Sequence, residues 1–394
     1  MTLKVYKDNG SVIEHIISSD TMKNNTSQND ISHIGLSTKE ENILNIFKTY
    51  FNNSKAILFD KSNKEIIKKI NNLNFDDFKK KDFAFIYFTS GTTGSPVGAF
   101  KTKENFLSEV AELTKLFETF TIKQVIVTVP FIHFYGSLLG AIYPLINDID
   151  IIIKEHFLPN DLLELVDEYS MVVTTPLYIK SLNKLNIQKD LNKSIFVSST
   201  APLFPDIAKE FHKNFSADVM QIFGSTETGG IAYKFNDEEN WTPINKVKIS
   251  QNNEGKLNVK SPFISNILYE KEFIITNHQI QTFDFVEIEQ NQFKLIGRSA
   301  QIIKLAGKRY STIQIENILE SQENIEKAVV FVTTNKNALR GEELNITLQT
   351  KSDILVKDLK TLLKKELSNI RFTINLKLVD KIKTTLVGKK MMIQ

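Results

Sequence analysis

The chain has 394 residues, 41% hydrophobic and 24% charged, a balance that supports a sizeable buried core and allows roughly two or three domains. Lys and Arg number 49 against 46 Asp and Glu, and a net charge of +3 argues against a general nucleic-acid binder, which concentrates basic residues on one face. The absence of cysteine excludes disulfides, zinc–thiolate sites and cysteine nucleophiles, and is compatible with the reducing cytoplasm expected as its location.

The N-terminal stretch MTLKVYKDNGSVIEHIISS alternates apolar and charged residues and has no signal-peptide core. The first strong strand is FAFIYF, Phe83–Phe88, which empties into TSGTTGSPVG. A buried strand ending in hydroxyls and glycines can present N–H and O–H groups to a phosphate chain; an ordinary hairpin turn has the same composition. A helical pattern follows in KENFLSEVAELTKLFETF. The run QVIVTVPFIHFYGSLLGAIYPLI, Gln124 to Ile146, is long enough to span a membrane and carries no ionisable side chain of note except His133. Pro130, Gly136 and Pro144 break it, so a buried strand followed by a buried helix is expected and no membrane insertion.

Beyond it, the strand candidates DIDIIIK, SMVVTT, KSIFVSS and DVMQIF alternate with the helical NDLLELVDEY and FPDIAKEFHKNF. Such alternation predicts a layered α/β domain, whose ligand sites lie at the carboxyl ends of strands. The polar clusters TSGTTG, TTP, SSTAP and GSTETGG all follow strands. From about Phe235 to Leu295 the pattern turns β-rich, with NNEGKL as a hairpin turn. A helix IQIENILES, a strand KAVVFVTT, a helix ILVKDLKTLLKKEL and a strand TINLKLVD then predict a small α+β unit. The expected division is 1–297, a large α/β domain, and 298–394, a small mobile α+β domain.

The loop after Phe88 is not a Walker phosphate loop, because Gly98 is followed by Ala99 and Phe100 instead of Lys and Ser/Thr. GSTETGG likewise lacks the glycine spacing of a dinucleotide fingerprint. Taken in order, YFTSGTTGSPVG, VPFIHFYGS, SSTAPL, QIFGSTETGG, QTFDF, GRSAQIIKLAGKRYSTIQIE and TTLVGKK resemble the adenylate-forming superfamily of acyl- and aryl-CoA synthetases, adenylation domains and luciferases. The resemblance spans Phe83 to Lys389 and describes a member with a shortened N-terminal region.

The resemblance implies that ATP and a carboxylic acid give an acyl-adenylate and pyrophosphate, after which a phosphopantetheine thiol of CoA or an acyl carrier protein takes the acyl group. It assigns Thr89, Ser90, Gly91, Thr92, Thr93 and Gly94 to the β- and γ-phosphates, and Thr200, Ala201 and Pro202 to the edge of adenine. Phe223 would stack on adenine, Gly224 and Ser225 lead into the phosphate turn, Thr226 would meet the α-phosphate and Glu227 would hold Mg2+. Asp284 and Arg298 would reach the ribose and Arg309 the phosphates. Lys389 would bridge carboxylate and α-phosphate during adenylation only, and Lys390 reads as an ordinary exposed tail lysine. His133 matches a histidine near the acyl pocket, or is a core histidine.

Several positions depart from the family pattern. Val97 stands where a lysine is usual, with Lys101 or Lys103 as nearby sources of charge; Phe283 replaces a glycine in a turn, Ala300 replaces an Asp or Lys at the hinge, and Lys383 replaces a proline. The segment PFIHFYGS carries no aspartate to meet an α-amine, so an aryl or fatty acid is expected in place of an amino acid. The short N-terminal region suits a carrier-protein partner slightly better than free CoA. A degenerate, non-catalytic nucleotide-binding protein of the same fold is the alternative.

Overall fold

Short Val-, Ile- and Phe-rich runs form the centre of a nine-stranded sheet. Its order is Thr242–Pro243, Gly229–Phe235, Asp218–Ser225, Ile195–Ser198, Ser170–Thr174, Gln124–Val127, Asp150–Lys154, Thr2–Tyr6 and Val12–Ile16. The computed structural model describes residues 1–23, 31–35, 37–89, 96–185, 187–298, 302–305, 308–334, 342–367, 373–384 and 390. Neighbouring strands from Asp218–Ser225 to Thr2–Tyr6 are parallel, and the strands outside them are antiparallel. Parallel strands are covered on both faces, which is why they read as unbroken apolar runs; Val125, Ile151, Val172 and Phe196 are wholly buried. Helices Pro159–Leu165, Pro176–Asn183 and Pro205–Phe215 set Leu162, Ile179, Leu182, Phe211 and Phe215 against the sheet. Each opens on proline, whose missing N–H is not needed in the first turn.

A second, six-stranded sheet runs Phe273–Ile275, Ile267–Tyr269, Val97–Lys101, Phe85–Thr89, Lys55–Leu58 and Ile31–Ile34. Phe78, Phe83, Phe100 and Phe273 pack edge-on or stacked over it. The helix Lys103–Leu116 starts in a reciprocal cap between Thr102 and Asn105 and buries Phe106, Val110 and Leu113. The Gln124–Ile146 run is a strand, Gln124–Val127, then a buried helix with a π-helical turn at Leu138–Ile142. Gly140 permits this packing, because a Cβ there would come 2.8 Å from Val127 Cγ1. Among the described residues no helix is long and apolar enough to cross a membrane.

These sheets belong to one compact unit, Met1–Ser250 with Asn258–Ile280; the second is Gln251–Leu257 with Gln281–Gln394. The second unit begins ahead of Arg298, where the sequence suggests the break. Its three-stranded sheet, Lys327–Thr334, Glu342–Gln349 and Thr373–Val379, is covered by helices Thr312–Glu320 and Val356–Leu367. Ile315, Leu319, Leu359 and Leu363 meet Val330, Leu344 and Ile346 in its core. The architecture is the α/β class with a smaller α+β unit, as expected.

Candidate active site

Thr89 ends the strand Phe85–Thr89, opposite Val97 in the antiparallel partner. Ser90, Gly91, Thr92, Thr93 and Gly94, which join the two strands in sequence, lie outside the described residues. The Thr89 hydroxyl donates to Glu227 Oε1 at 3.3 Å, so the strand before the first Gly-rich motif meets the acid of the second.

Glu227 sits in a turn built by its neighbours. The ladder between Asp218–Ser225 and Gly229–Phe235 shifts register at Phe223 and Gly224. Ser225 N–H donates to Thr228 Oγ1 at 2.9 Å, and Thr228 Oγ1 donates to Gly229 O at 2.8 Å. A Cβ on Gly224 would lie 2.2 Å from the Gly229 carbonyl, and Gly229 has φ +73°, so both positions require glycine. Thr226 and Glu227 are half-buried at the tip of this turn. Among the described residues no three His, Asp or Glu side chains cluster as a metal cage. A carboxylate beside a hydroxyl is an oxygen-only donor set that suits a hard cation, such as Mg2+, whose remaining ligands are phosphate and water.

On the neighbouring strand end, Thr200, Ala201 and Pro202 are exposed. Thr200 has φ +79°, an unfavourable region for a β-branched residue. Ser199 Oγ donates to Ile222 O at 2.8 Å and Leu203 N–H to Gln221 Oε1 at 3.2 Å, tying this segment to the strand that leads into Phe223. Phe223 lies 5.5 Å, centroid to centroid, from Trp241.

His133 precedes the helix Phe134–Ser137, at the end of the loop leaving Gln124–Val127. Burial pushes its imidazole below the ordinary value, opposed by the charge of Asp60. Asp60 itself accepts Ser62 N–H at 2.8 Å in its own loop. The Tyr135 hydroxyl reaches Val197 O at 2.6 Å and Thr174 O at 3.1 Å, so it closes the ends of two strands. Phe134 is buried against Tyr87 and Phe106. Thus the structure brings Thr89, His133, Thr200, Phe223, Thr226 and Glu227 to the carboxyl ends of strands in one unit.

Neither lysine expected near the phosphate loop is free. Lys103 donates to Tyr50 O and Asn53 Oδ1. Lys101, wholly buried, donates to Phe263 O at 2.7 Å and Glu227 O at 3.4 Å, with Nζ 4.5 Å from the Phe134 ring centre. Burial drives its ammonium below the usual lysine value and drives the buried Glu109 carboxyl upward. Sequence reasoning missed Glu109 and Trp241. Glu109 had a signal: it shares the apolar helix face of Phe106, Val110 and Leu113.

The remaining candidates belong to the second unit. Thr282-Phe283-Asp284 is extended strand, not the turn expected from the sequence. Thr282 and Asp284 are buried while Phe283 is 48% exposed, and an extended backbone makes no demand for glycine. Asp284 lies opposite Arg298 in the register of the hairpin, and Arg309 pairs with Lys304 in another. Ala300 and Lys389 lie outside the described residues. Lys390 is not the exposed tail residue expected: its ammonium meets Glu316 Oε2 and Ala328 O, each at 2.8 Å, and Glu320 Oε1 at 2.5 Å.

The family model described as AMP-binding enzyme matches residues 13–256. The Staphylococcus haemolyticus protein VraA, named for long chain fatty acid-CoA ligation, is 27% identical over 65% of this chain and 58% of its own length. The Arabidopsis thaliana 4-coumarate–CoA ligase-like 8 is 23% identical over 79% of this chain and 62% of its own. The chain thus spans about three-fifths of the length of these curated relatives. The structure of Bacillus subtilis O-succinylbenzoate coenzyme A synthetase in complex with ATP and magnesium ion shares the fold, with TM-score 0.78 and 15% identity over 98% of this chain and 94% of that one.

Proposed function

We propose, since the chain belongs to the AMP-binding enzyme family of the adenylate-forming superfamily, that it activates a carboxylic acid with ATP and transfers the acyl group to a phosphopantetheine thiol. A carboxylate oxygen attacks the α-phosphorus, the bond to pyrophosphate breaks, and an acyl-adenylate results. The thiol sulfur then attacks the acyl carbon, its proton passes to solvent, and AMP leaves. The observation that carries this reading is the Thr89–Glu227 contact, which gathers the hydroxyl and the carboxylate of two separate motifs at one strand end. With bound Mg2+ the site would gain neutralisation of phosphate charge; Glu227 would hold the ion and Thr89 would orient the carboxylate. Thr226 would meet the α-phosphate, and Phe223 and the Thr200–Pro202 segment would meet adenine. Asp284, Arg298, Arg309 and Lys389 take the roles implied by the resemblance, at ribose, phosphate and carboxylate, and the hinge motif begins at Arg298, with Ala300 at the hinge position.

The acid we favour is aryl or fatty, because the segment PFIHFYGS contains no acidic residue to meet a substrate amine and its aromatics Phe134 and Tyr135 are packed in the core. The acceptor thiol is that of CoA or of an acyl carrier protein. ATP–pyrophosphate exchange with a panel of carboxylic acids tests the activity. Exchange with an aryl or fatty acid supports it, exchange with amino acids alone overturns the substrate class, and no exchange alongside ATP binding favours a non-catalytic nucleotide binder.

A further inference from the structure

The turn that carries Glu227 is held between two buried, oppositely charged side chains that no step of the proposed reaction uses. Lys101 closes the strand Val97–Lys101, and its ammonium faces the carbonyl of Glu227 itself, at the tip of the turn, and that of Phe263. Glu109, two turns into the helix Lys103–Leu116, takes the N–H at the end of the turn, Gly230 N, at 2.7 Å. Its second oxygen, Oε2, is buried without a hydrogen-bond partner among the described residues. That oxygen lies 2.6 Å from where a Cβ on Gly229 would stand, so only glycine lets the backbone approach it. Ser265 N–H adds a second donor to Glu227 O at 2.9 Å. A cation therefore sits at the carbonyl end of residues 227–230 and an anion at the amide end, which is the polarity that stabilises both backbone groups.

We infer that Lys101 and Glu109 form a charge clamp that fixes the Glu227 turn, and so act as positioning residues for metal-dependent ATP binding. This rests on the proposed role of Glu227. A buried ion left without its counter-charge is strongly destabilising, whereas replacing both partners by neutral groups of similar volume is tolerated. The variants are therefore Glu109→Ala, Glu109→Gln, Lys101→Met, and the double Lys101→Met with Glu109→Gln.

Two readouts on the full chain separate the clamp from the functional reading. Hydrogen exchange of a peptide covering 226–230 reports the turn itself. Glu109→Ala should speed it about tenfold or more, and Glu109→Gln, which keeps an acceptor for Gly230, should restore much of the protection. Calorimetric titration with ATP, with and without Mg2+, reports positioning. Lys101→Met and the double variant should weaken Mg2+-ATP binding about 10-fold, the scale for residues that orient a metal ligand, and leave metal-free ATP binding unchanged. Unchanged exchange in Glu109→Ala overturns the clamp. Equal weakening with and without Mg2+ in the folded double variant, or no weakening, overturns the positioning role. If the wild-type chain binds no ATP, the nucleotide reading and the positioning role fall together, while hydrogen exchange still decides the clamp.

Discussion

The Thr89 hydroxyl and the Glu227 carboxylate meet at 3.3 Å although 138 residues separate them. One comes from the six-stranded sheet and the other from the end of the nine-stranded sheet, so the contact joins the two layers where the parallel strands end. If Glu227 holds Mg2+, Glu227→Gln should raise the Mg2+ concentration for half-maximal ATP–pyrophosphate exchange by at least about tenfold. Thr89→Val, which frees the carboxylate to rotate, should move it in the same direction by a smaller factor. Thermal midpoints of both variants should stay near wild type. An unmoved Mg2+ requirement in Glu227→Gln would remove the metal assignment.

Val97 lies one residue past Pro96, whose carbonyl accepts from Lys69, a lysine that also donates to Glu270 O. The expected lysine is thus missing at 97, and a different cation is anchored beside the same strand start. Val97→Lys should lower the KM for ATP by about two- to fivefold, the scale of a single partly screened charge pair. A KM that does not fall, together with one that rises in Lys69→Met, would show that Lys69 already supplies the charge.

What was legible in the sequence divides along physical lines. The helix Pro205–Phe215 and the strands around it follow from periodicity and proline placement, which are local signals. Thr2–Tyr6 was not legible as a sheet member, because its parallel partner Asp150–Lys154 lies far along the chain and nothing local encodes that pairing. The GSTETGG motif marked the turn that carries Glu227, and Gly229 at φ +73° is the reason that turn needs a glycine. Glu109 was passed over because charged residues in a helix are normally solvated, and Lys101 was read as a source of charge for phosphate when it is buried against the carbonyls of Phe263 and Glu227. Phe283 looked like a damaged turn only because the segment was read as a turn; as strand it needs no glycine.

Glu112 offers a pH test of the first unit. Burial acts to raise its carboxyl, but hydrogen bonds from Asn245, Lys246 and Lys115 outweigh this and hold it down to about 2. A carboxylate lowered in the folded state contributes stability that is fully present above the ordinary value of 4.5 and is lost as pH falls toward 2. Glu112→Gln should therefore lower the thermal midpoint at pH 7 by about 2–4 °C. The gap from wild type should narrow steadily between pH 4.5 and pH 2. A gap that is constant across that range would mean lost packing, not lost charge.

The last prediction concerns Lys390, the neighbour of the proposed catalytic Lys389. Lys390 pairs with Thr384 in a short bridge and sets its ammonium between Glu316 and Glu320, on one helix, and the carbonyl of Ala328. Glu316 and Glu320 in turn accept the N–H groups of Val330 and Ala328 at 2.9 and 2.7 Å, so the three charges form one network tying helix, strand and tail together. Lys389→Ala should cut ATP–pyrophosphate exchange about 10²-fold or more, since an ammonium is lost where two anions must meet. It should leave thioester formation from a prepared acyl-adenylate near wild type, because no carboxylate then approaches a phosphate. Lys390→Ala leaves two carboxylates without their cation and loosens the anchor of the adjoining lysine. It should reduce exchange by a smaller factor, about tenfold, spare the thioester step, and lower the thermal midpoint, whereas Lys389→Ala should not lower it. Lys390→Arg, which keeps the charge, should recover most of the exchange activity. If Lys390→Ala matches wild type in exchange and in stability, the anchor has no bearing on adenylation. If Lys389→Ala lowers both half-reactions together, the lysine is not reserved for the step in which carboxylate meets phosphate.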